Sequence, residues 1–509
     1  MKIKSVSIKN FRGYKNQTTI NFGKLIAIVG KNDIGKSTIL EALDIFFNEG
    51  KGVVKLDKED VNKIALADGD NEIIISVVFE DLPASIVIDS TNETTLINEY
   101  LLNSDGYLEI IKKYPNAGKE KIFVKANHPT NEQCKDLLLK KDSDLRSIIR
   151  NLNIECNDRN RNAVMRASIW NHFQDDLNLE EIEIDVTKGD TKSIWDKLQS
   201  YLPLYSLFQS DRKNSDSDSE VQDPLKEAVK QILSNVDIQR KFNEIATEVE
   251  EKLRDVSNRT LHKLREMNPE VANSLNPVIP SNENLKWIDV FKNVSIAGDE
   301  NIPINKRGSG VKRLILLNFF RAEAERRKTE ENFESIIYAI EEPETSQHNK
   351  HQKQLIKAFK DLSNSPNTQI ILTTHSPIVV KELEFEQLKM VIDENFQKKI
   401  VDVDISQLPY PSFNEVNYLA FNEVSEEYHN ELYGYIESEG KLNDYKVGKD
   451  KILYIKQNKN GDNLEQNIIL TEYIRHQIHH PENSLNTRYN LEQLESSISQ
   501  MRDFIMINM

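Results

Sequence analysis

The sequence predicts an α/β head with a helical arm inserted into it and an all-α domain after it, and three observations carry that reading. Apolar runs at residues 25–29 and, after a first polar residue, at 335–340 and 369–372 are short enough for strands and have the pattern of strands buried on both faces. Between the first run and the other two, Phe242, Ile245, Val249, Leu253 and Val256 step by 3, 4, 4 and 3 residues, a near-heptad seam. Past Leu408, Pro409 and Pro411 the composition turns to Tyr-, His- and Glu-rich helical sequence.

Taken in order, KIKSVSIKNF and TTINF read as strands on either side of the turn Arg12-Gly13-Tyr14. The apolar run 25–29 follows, and residues 37–47 then have helical spacing, with Ile39, Leu40 and Leu43 on one side. Residues 72–79 and 121–124 read as further strands, and the polar stretch 210–220 as an exposed loop. Pro224 opens the arm, whose seam fits a helical hairpin or an ordinary amphipathic helix packed on a core. The expected boundaries are a head at 1–165 and 285–408, an arm at 166–284 and a C-terminal domain at 409–509.

With 509 residues, 38% of them hydrophobic and 29% charged, the chain has material for about three domains and is not globally disordered. No apolar run approaches the ~20 residues a bilayer demands, and MKIKSVSIKN lacks a signal peptide's apolar stretch, so a cytoplasmic protein is expected. Two cysteines, Cys134 and Cys156, make neither a disulfide framework nor a thiolate zinc site. The net charge of −16 weighs against a surface that coats nucleic acid indiscriminately. Residues 112–166 run the other way, with 13 Lys/Arg against 7 Asp/Glu, either a phosphate-tracking patch or a solvated face.

The strongest motif is Gly30-Lys31-Asn32-Asp33-Ile34-Gly35-Lys36-Ser37, followed by Thr38. Glycines at those places let backbone N–H groups wrap phosphates, the lysine reaches the β/γ oxygens, and the serine hydroxyl holds Mg²⁺. A buried strand precedes the loop and a helix follows it, and the helix points its positive end at the anion. A second strand ends in Glu341-Glu342-Pro343-Glu344. Glu341 is placed to hold magnesium's water shell and Glu342 to orient and deprotonate the attacking water. A third runs into Thr373-Thr374-His375-Ser376-Pro377, which puts His375 at a strand's C-terminal edge, where open α/β sheets bind ligands. Ser309 and Gly310, at the start of an apolar helix, form an anion-binding nest suited to another subunit's ATP.

In that order, GKNDIGKS, KRGSGVKR, IIYAIEEPE and ILTTHSP resemble the ABC-type ATPase heads of the RecF/SMC and OLD groups. The resemblance covers about residues 1–110 and 300–385, and Ile8-Lys9-Asn10-Phe11-Arg12 matches the opening strand of those heads. It implies two heads, as a dimer or within a larger homo-oligomer, sandwiching ATP and Mg²⁺ between Gly30–Ser37, Glu341, Glu342 and His375 of one and Ser309-Gly310 of the other. Two features depart from the pattern. No glutamine follows the strand EIIISVVF, and Thr345-Ser346-Gln347-His348 replaces the usual leucine-histidine-proline.

OLD proteins continue into a Toprim nuclease, but here Asp402 and Asp404 lack the preceding glutamate-bearing strand and read as strand-end acids. Arg475 and His480 instead have R-x4-H spacing, which resembles HEPN ribonucleases. Pro481 pushes His480 out of the α region, so the chain leaves the helix there and the ring is free to turn back toward Arg475. The resemblance implies metal-independent RNA cleavage, with His480 as acid or base and Arg475 stabilising the phosphate. The alternative is that RHQIHHPEN is a polar helix end packing a bundle. ABC heads fused to HEPN modules resemble bacterial anticodon-nuclease toxins that respond to phage, with RNA as substrate and DNA or a phage protein as trigger. A second reading is an ATPase scaffold that activates a separate nuclease, as in Septu- or PARIS-like systems. No membrane partner is expected.

Overall fold

The computed structural model describes residues 1–48, 52–89, 92–187, 191–209, 232–233, 235–267, 335–345, 347–394, 397–403, 408, 412–457 and 463–508. They fall in two compact units, one of residues 1–210 with 335–509 and one of residues 211–334. The strands are β1 (Lys2–Lys9), β2 (Thr18–Asn21), β3 (Leu25–Val29), β4 (Glu72–Glu80), β5 (Ile86–Asp89), β6 (Asn92–Thr94), β7 (Leu108–Pro115) and β8 (Lys121–Pro129). They continue as β9 (Leu179–Asp185), β10 (Leu204–Phe208), β11 (Ile336–Glu341), β12 (Thr368–Thr374), β13 (Leu388–Glu394), β14 (Gln397–Asp402), β15 (Lys451–Gln457) and β16 (Asn463–Ile469).

Two six-stranded sheets build the head. The first, β2-β1-β4-β7-β8-β9, is antiparallel throughout, and Ile3, Val6 and Ile8 of β1 turn into its core. The second has the order β10-β11-β12-β3-β13-β14 and is parallel up to β13, with β14 returning antiparallel. Every residue of β3 and β12 is buried, as parallel strands covered on both faces require. The centre of this sheet joins chain segments more than 300 residues apart, since Val29 pairs with Thr374 and Thr373 with Glu341. The ends of β3, β11 and β12 are thereby aligned at one edge.

The head extends beyond the boundary expected at residue 165. In helix Asn162–His172, Arg166 is 2% exposed and grips Glu99 with two hydrogen bonds of 2.7 and 3.0 Å. β9 pairs with β8, and β10 forms the flank of the parallel sheet against β11. The cause is visible in the residues. β9 reads LEEIEID, too acidic to show as a strand, and β10 is only five residues long. The basic run 112–166 is mostly paired within the fold: Lys112 with Glu120 at 3.2 Å, Lys113 with Glu183 at 2.5 Å, Lys125 with Glu181 at 2.8 Å. Those pairs leave less free positive charge for a phosphate-tracking patch.

In the second unit, Val236–Met267 is one helix of 32 residues. Ile245 and Val249 of the expected seam are each 51% exposed, while Ala246 between them is buried.

The C-terminal residues have their own core of Tyr428, Leu432, Ile436, Ile474, Ile498 and Met501, from helices Glu426–Ser438, Leu470–His479 and Leu491–Asn508. They are not all-α, because β15 and β16 form an antiparallel hairpin. Helix Phe413–Phe421 joins these residues to the head: it packs on helix Pro377–Lys381, and Phe413 stacks on Phe385 at 4.2 Å. No helix among the described residues is long and apolar enough to cross a membrane.

Candidate functional site

The loop after β3 turns on residues with left-handed backbone: Gly30 at φ +150°, Asp33 at +59° and Gly35 at +103°. A Cβ on Gly30 would lie 3.0 Å from the Val391 carbonyl oxygen, and one on Gly35 would press on the Tyr14 ring at 3.4 Å. Gly30 is therefore required by space as well as by φ, and Gly35 by its φ. Tyr14 closes the back of the loop, its hydroxyl donating to the Gly35 carbonyl at 3.0 Å, and burial pushes that phenol up.

Helix Lys36–Asn48 begins at the end of the loop. Lys36 is 4% exposed, and its Nζ donates to the carbonyls of Gly30 and Lys31, both at 2.9 Å. Burial lowers its pKa, while Glu342, Glu344, Asp33 and Glu341 pull the other way. The ammonium thus sits inside the loop, in the field of four carboxylates. Ser37 Oγ donates to Glu341 Oε1 at the tip of β11. These two hard oxygen donors fit a divalent cation that completes its shell with phosphate and water. Among the described residues no cluster of three or more His, Cys, Asp or Glu forms an all-protein cage.

Glu342 follows immediately, with φ at +40°, a conformation rarely adopted by a residue with a side chain. Its N–H is held by Thr373, the carbonyl at 3.1 Å and the hydroxyl at 3.2 Å. After β12, His375 Nδ1 lies 3.3 Å from Glu342 Oε1 and 3.6 Å from Glu344 Oε1. Lys36, Ser37, Glu341, Glu342 and His375, spread over 340 residues of sequence, are therefore brought to one sheet edge.

Sequence reasoning missed the burial of one residue here and the presence of another. Glu344 is 3% exposed and tied to the His375 loop. Gln209 stands at the end of β10 on this same edge, its Nε2 3.3 Å from Glu41 Oε1. Gln209 lies two residues before the second unit, which begins at residue 211. Ser309 and Gly310 lie outside the described residues.

In the C-terminal region the expected pair is not brought together. Arg475 lies over the Tyr433 ring at 3.9 Å and pairs with Glu437 at 3.3 Å. His480 does leave the helix, at φ −128° and ψ 62°, as the following proline dictates. Its ring, however, stacks beside His476, which stacks in turn on Tyr454 of β15, and its Nδ1 lies 3.2 Å from Glu482. The arginine faces helix Glu426–Ser438 and the histidine faces the hairpin.

A parallel sheet whose edge carries a phosphate loop, a strand-end acid pair and a strand-end histidine defines a P-loop ATPase. The chain belongs to the AAA ATPase domain family, which matches residues 1–380. It is 25% identical to the protein named Endonuclease GajA of Bacillus cereus (strain HuB5-5) over 409 residues, 74% of this chain and 55% of that one. It is also 31% identical to the structural maintenance of chromosomes protein 3 homolog of Plasmodium falciparum (isolate 3D7), over 27% of this chain and 13% of that one. The chain thus spans little more than half of the one relative and a small part of the other. Among solved structures, the SMC head bound to the C-winged helix domain of ScpA is 14% identical, with a TM-score of 0.38 over 80% of this chain and 99% of that one. An SMC head with an extended coiled coil from Pyrococcus furiosus is 12% identical, with a TM-score of 0.40 over 78% of this chain and 95% of that one.

Proposed function

We propose that the chain is an ATP-driven component of a bacterial antiphage system, whose heads pair around ATP and control a nuclease. The observation that carries the ATP chemistry is the convergence of Lys36, Ser37, Glu341, Glu342 and His375 on one sheet edge. In this reading Lys36 binds the β/γ-phosphates, and Ser37 with Glu341 holds Mg²⁺, which supplies charge neutralisation when bound. Glu342 orients and deprotonates the attacking water, and His375 contacts the γ-phosphate. Ser309 and Gly310 of a second copy complete the site, and the likeness to an endonuclease over three-quarters of the chain supports the link to nucleic-acid cleavage.

The geometry favours a nuclease on a separate subunit, because Arg475 is occupied by Tyr433 and Glu437. The second reading keeps the ribonuclease in the chain, with Arg475 and His480 meeting across two copies. It is supported by the exposure of His480 outside the helix. Purified protein incubated with ATP, Mg²⁺ and cellular RNA separates the two. ATP turnover without RNA cleavage, and a nuclease recovered with the protein, supports the first. RNA cleavage in EDTA that is lost in His480→Ala supports the second. Absence of ATP turnover sinks both.

A further inference from the structure

Among the described residues, Glu344 is the one carboxylate at the site's edge that solvent scarcely reaches, at 3% exposure. Its Oε1 accepts two hydrogen bonds, from the Thr374 hydroxyl at 2.6 Å and from the His375 N–H at 2.9 Å. The same oxygen lies 3.6 Å from His375 Nδ1, and the Glu342 carboxylate approaches that nitrogen from the other side at 3.3 Å. Oε2 and Nδ1 have no hydrogen-bond partner among the described residues, so this buried polar group is held only on its His375 side. A second bracket runs parallel to it: Gln352 accepts from the Ser376 hydroxyl at 2.7 Å and donates to the Gln347 carbonyl at 3.1 Å.

We infer that Glu344 is a positioning residue for ATP hydrolysis, fixing the His375 loop against the acid loop so that His375 and Glu342 meet the reacting phosphate and water in register. The inference rests on the roles proposed above for Glu342 and His375. Three separate contacts tie the two loops: the Glu342 N–H to Thr373, Glu344 to Thr374 and His375, and Gln352 to Ser376. Only the second reaches the histidine's own backbone. Burial holds the Glu344 carboxyl above the usual carboxylate range, with the Thr374 hydroxyl and the His375 N–H opposing. A neutral amide of the same length is therefore expected to serve in its place. Removing the bracket leaves the phosphate loop intact and lets His375 drift, and ~1 Å of misplacement can cost ~100-fold in rate.

Steady-state ATPase kinetics of the full chain tests this. Glu344→Ala is expected to lower kcat by ~10- to 100-fold with KM for ATP within about twofold. Glu344→Gln, whose amide oxygen accepts the same two bonds, is expected to restore most of it. Glu344→Ala added to His375→Ala is expected to slow the enzyme no further than His375→Ala alone, since one residue acts through the other. A glutamine variant as slow as the alanine one, additive losses, or a loss that appears in KM alone would each overturn the inference. Should Glu344→Ala fail to fold, Thr374→Val removes one of the two donors. A severalfold fall in kcat is then expected, and an unchanged kcat overturns the inference. Glu342→Gln run in parallel isolates the parent reading: native turnover in that variant removes the role of Glu342, whatever the Glu344 variants do.

Discussion

The sheet edge and the helix Leu470–His479 carry the two motifs that look most like chemistry, and the fold treats them differently. At the sheet edge, residues from three distant segments meet because parallel strands in fixed register end together: Val29 beside Thr374, Thr373 beside Glu341. In and just past the helix, Arg475 and His480 are five residues apart and still part company. Tyr433 takes the arginine and His476 keeps the histidine. Convergence across a sheet is built by backbone pairing, and side-chain packing cannot easily undo it. Convergence along one helix depends on which neighbours offer a better partner. Spacing in sequence is therefore stronger evidence when the backbone enforces the meeting.

The comparison can be broken at either end. Lys36→Ala should weaken ATP binding by ~1,000-fold or more, about 4 kcal/mol, read by calorimetric titration. Native affinity in that variant would mean that the edge does not bind nucleotide as described. In the C-terminal core, burial and then the nearby Arg475 hold the His429 imidazole down at about 4 against an ordinary 6.5. The neutral ring is the folded form, so stability is full above pH 6.5 and is lost as pH falls toward 4, by about 3 kcal/mol. Chemical denaturation across that window should show the loss in the wild type, and His429→Gln should flatten it. A wild-type curve without slope there would place a charged or exposed histidine at 429.

Smaller effects sharpen the contrast. Glu342→Gln should cost ~100-fold in ATP turnover, about 2.7 kcal/mol, with ATP affinity retained and paired heads accumulating on gel filtration. Tyr433→Leu removes the ring beneath Arg475 and should cost about 1 kcal/mol of stability while leaving ATP turnover unchanged. If Tyr433→Leu instead releases RNA cleavage, the ring was restraining a catalytic arginine and the in-chain ribonuclease gains ground.

Much of the head could be read directly from the residues. GKNDIGKS between an apolar run and helical spacing leaves little choice of structure, and the acid and histidine motifs both follow apolar runs that became β11 and β12. Asp402 did end a strand, β14, where it pairs with Lys389. What was hidden shares a cause. β9 has acidic residues on both faces, and β10 is too short for periodicity to register, so the head seemed to stop about 45 residues early. The hairpin β15–β16 lay within helix-rich sequence, and neither KILYIKQ nor NLEQNII alternates in the way that marks a strand. Glu344 could be seen as an acid but not as a buried one, because its burial comes from β12 and the loop beyond it, some 30 residues away.

The stack of Phe413 on Phe385 makes the surface of the head dependent on the residues that follow it. The ring at 385 follows closely on the histidine loop, and a chain cut at residue 408 would leave it uncovered, along with the flank of helix Pro377–Lys381. A shortened chain would be prone to stick to itself there, and a graft in place of residues 409–509 would have to bring its own aromatic cover. The same stack leaves only one short helix between the C-terminal core and the histidine loop.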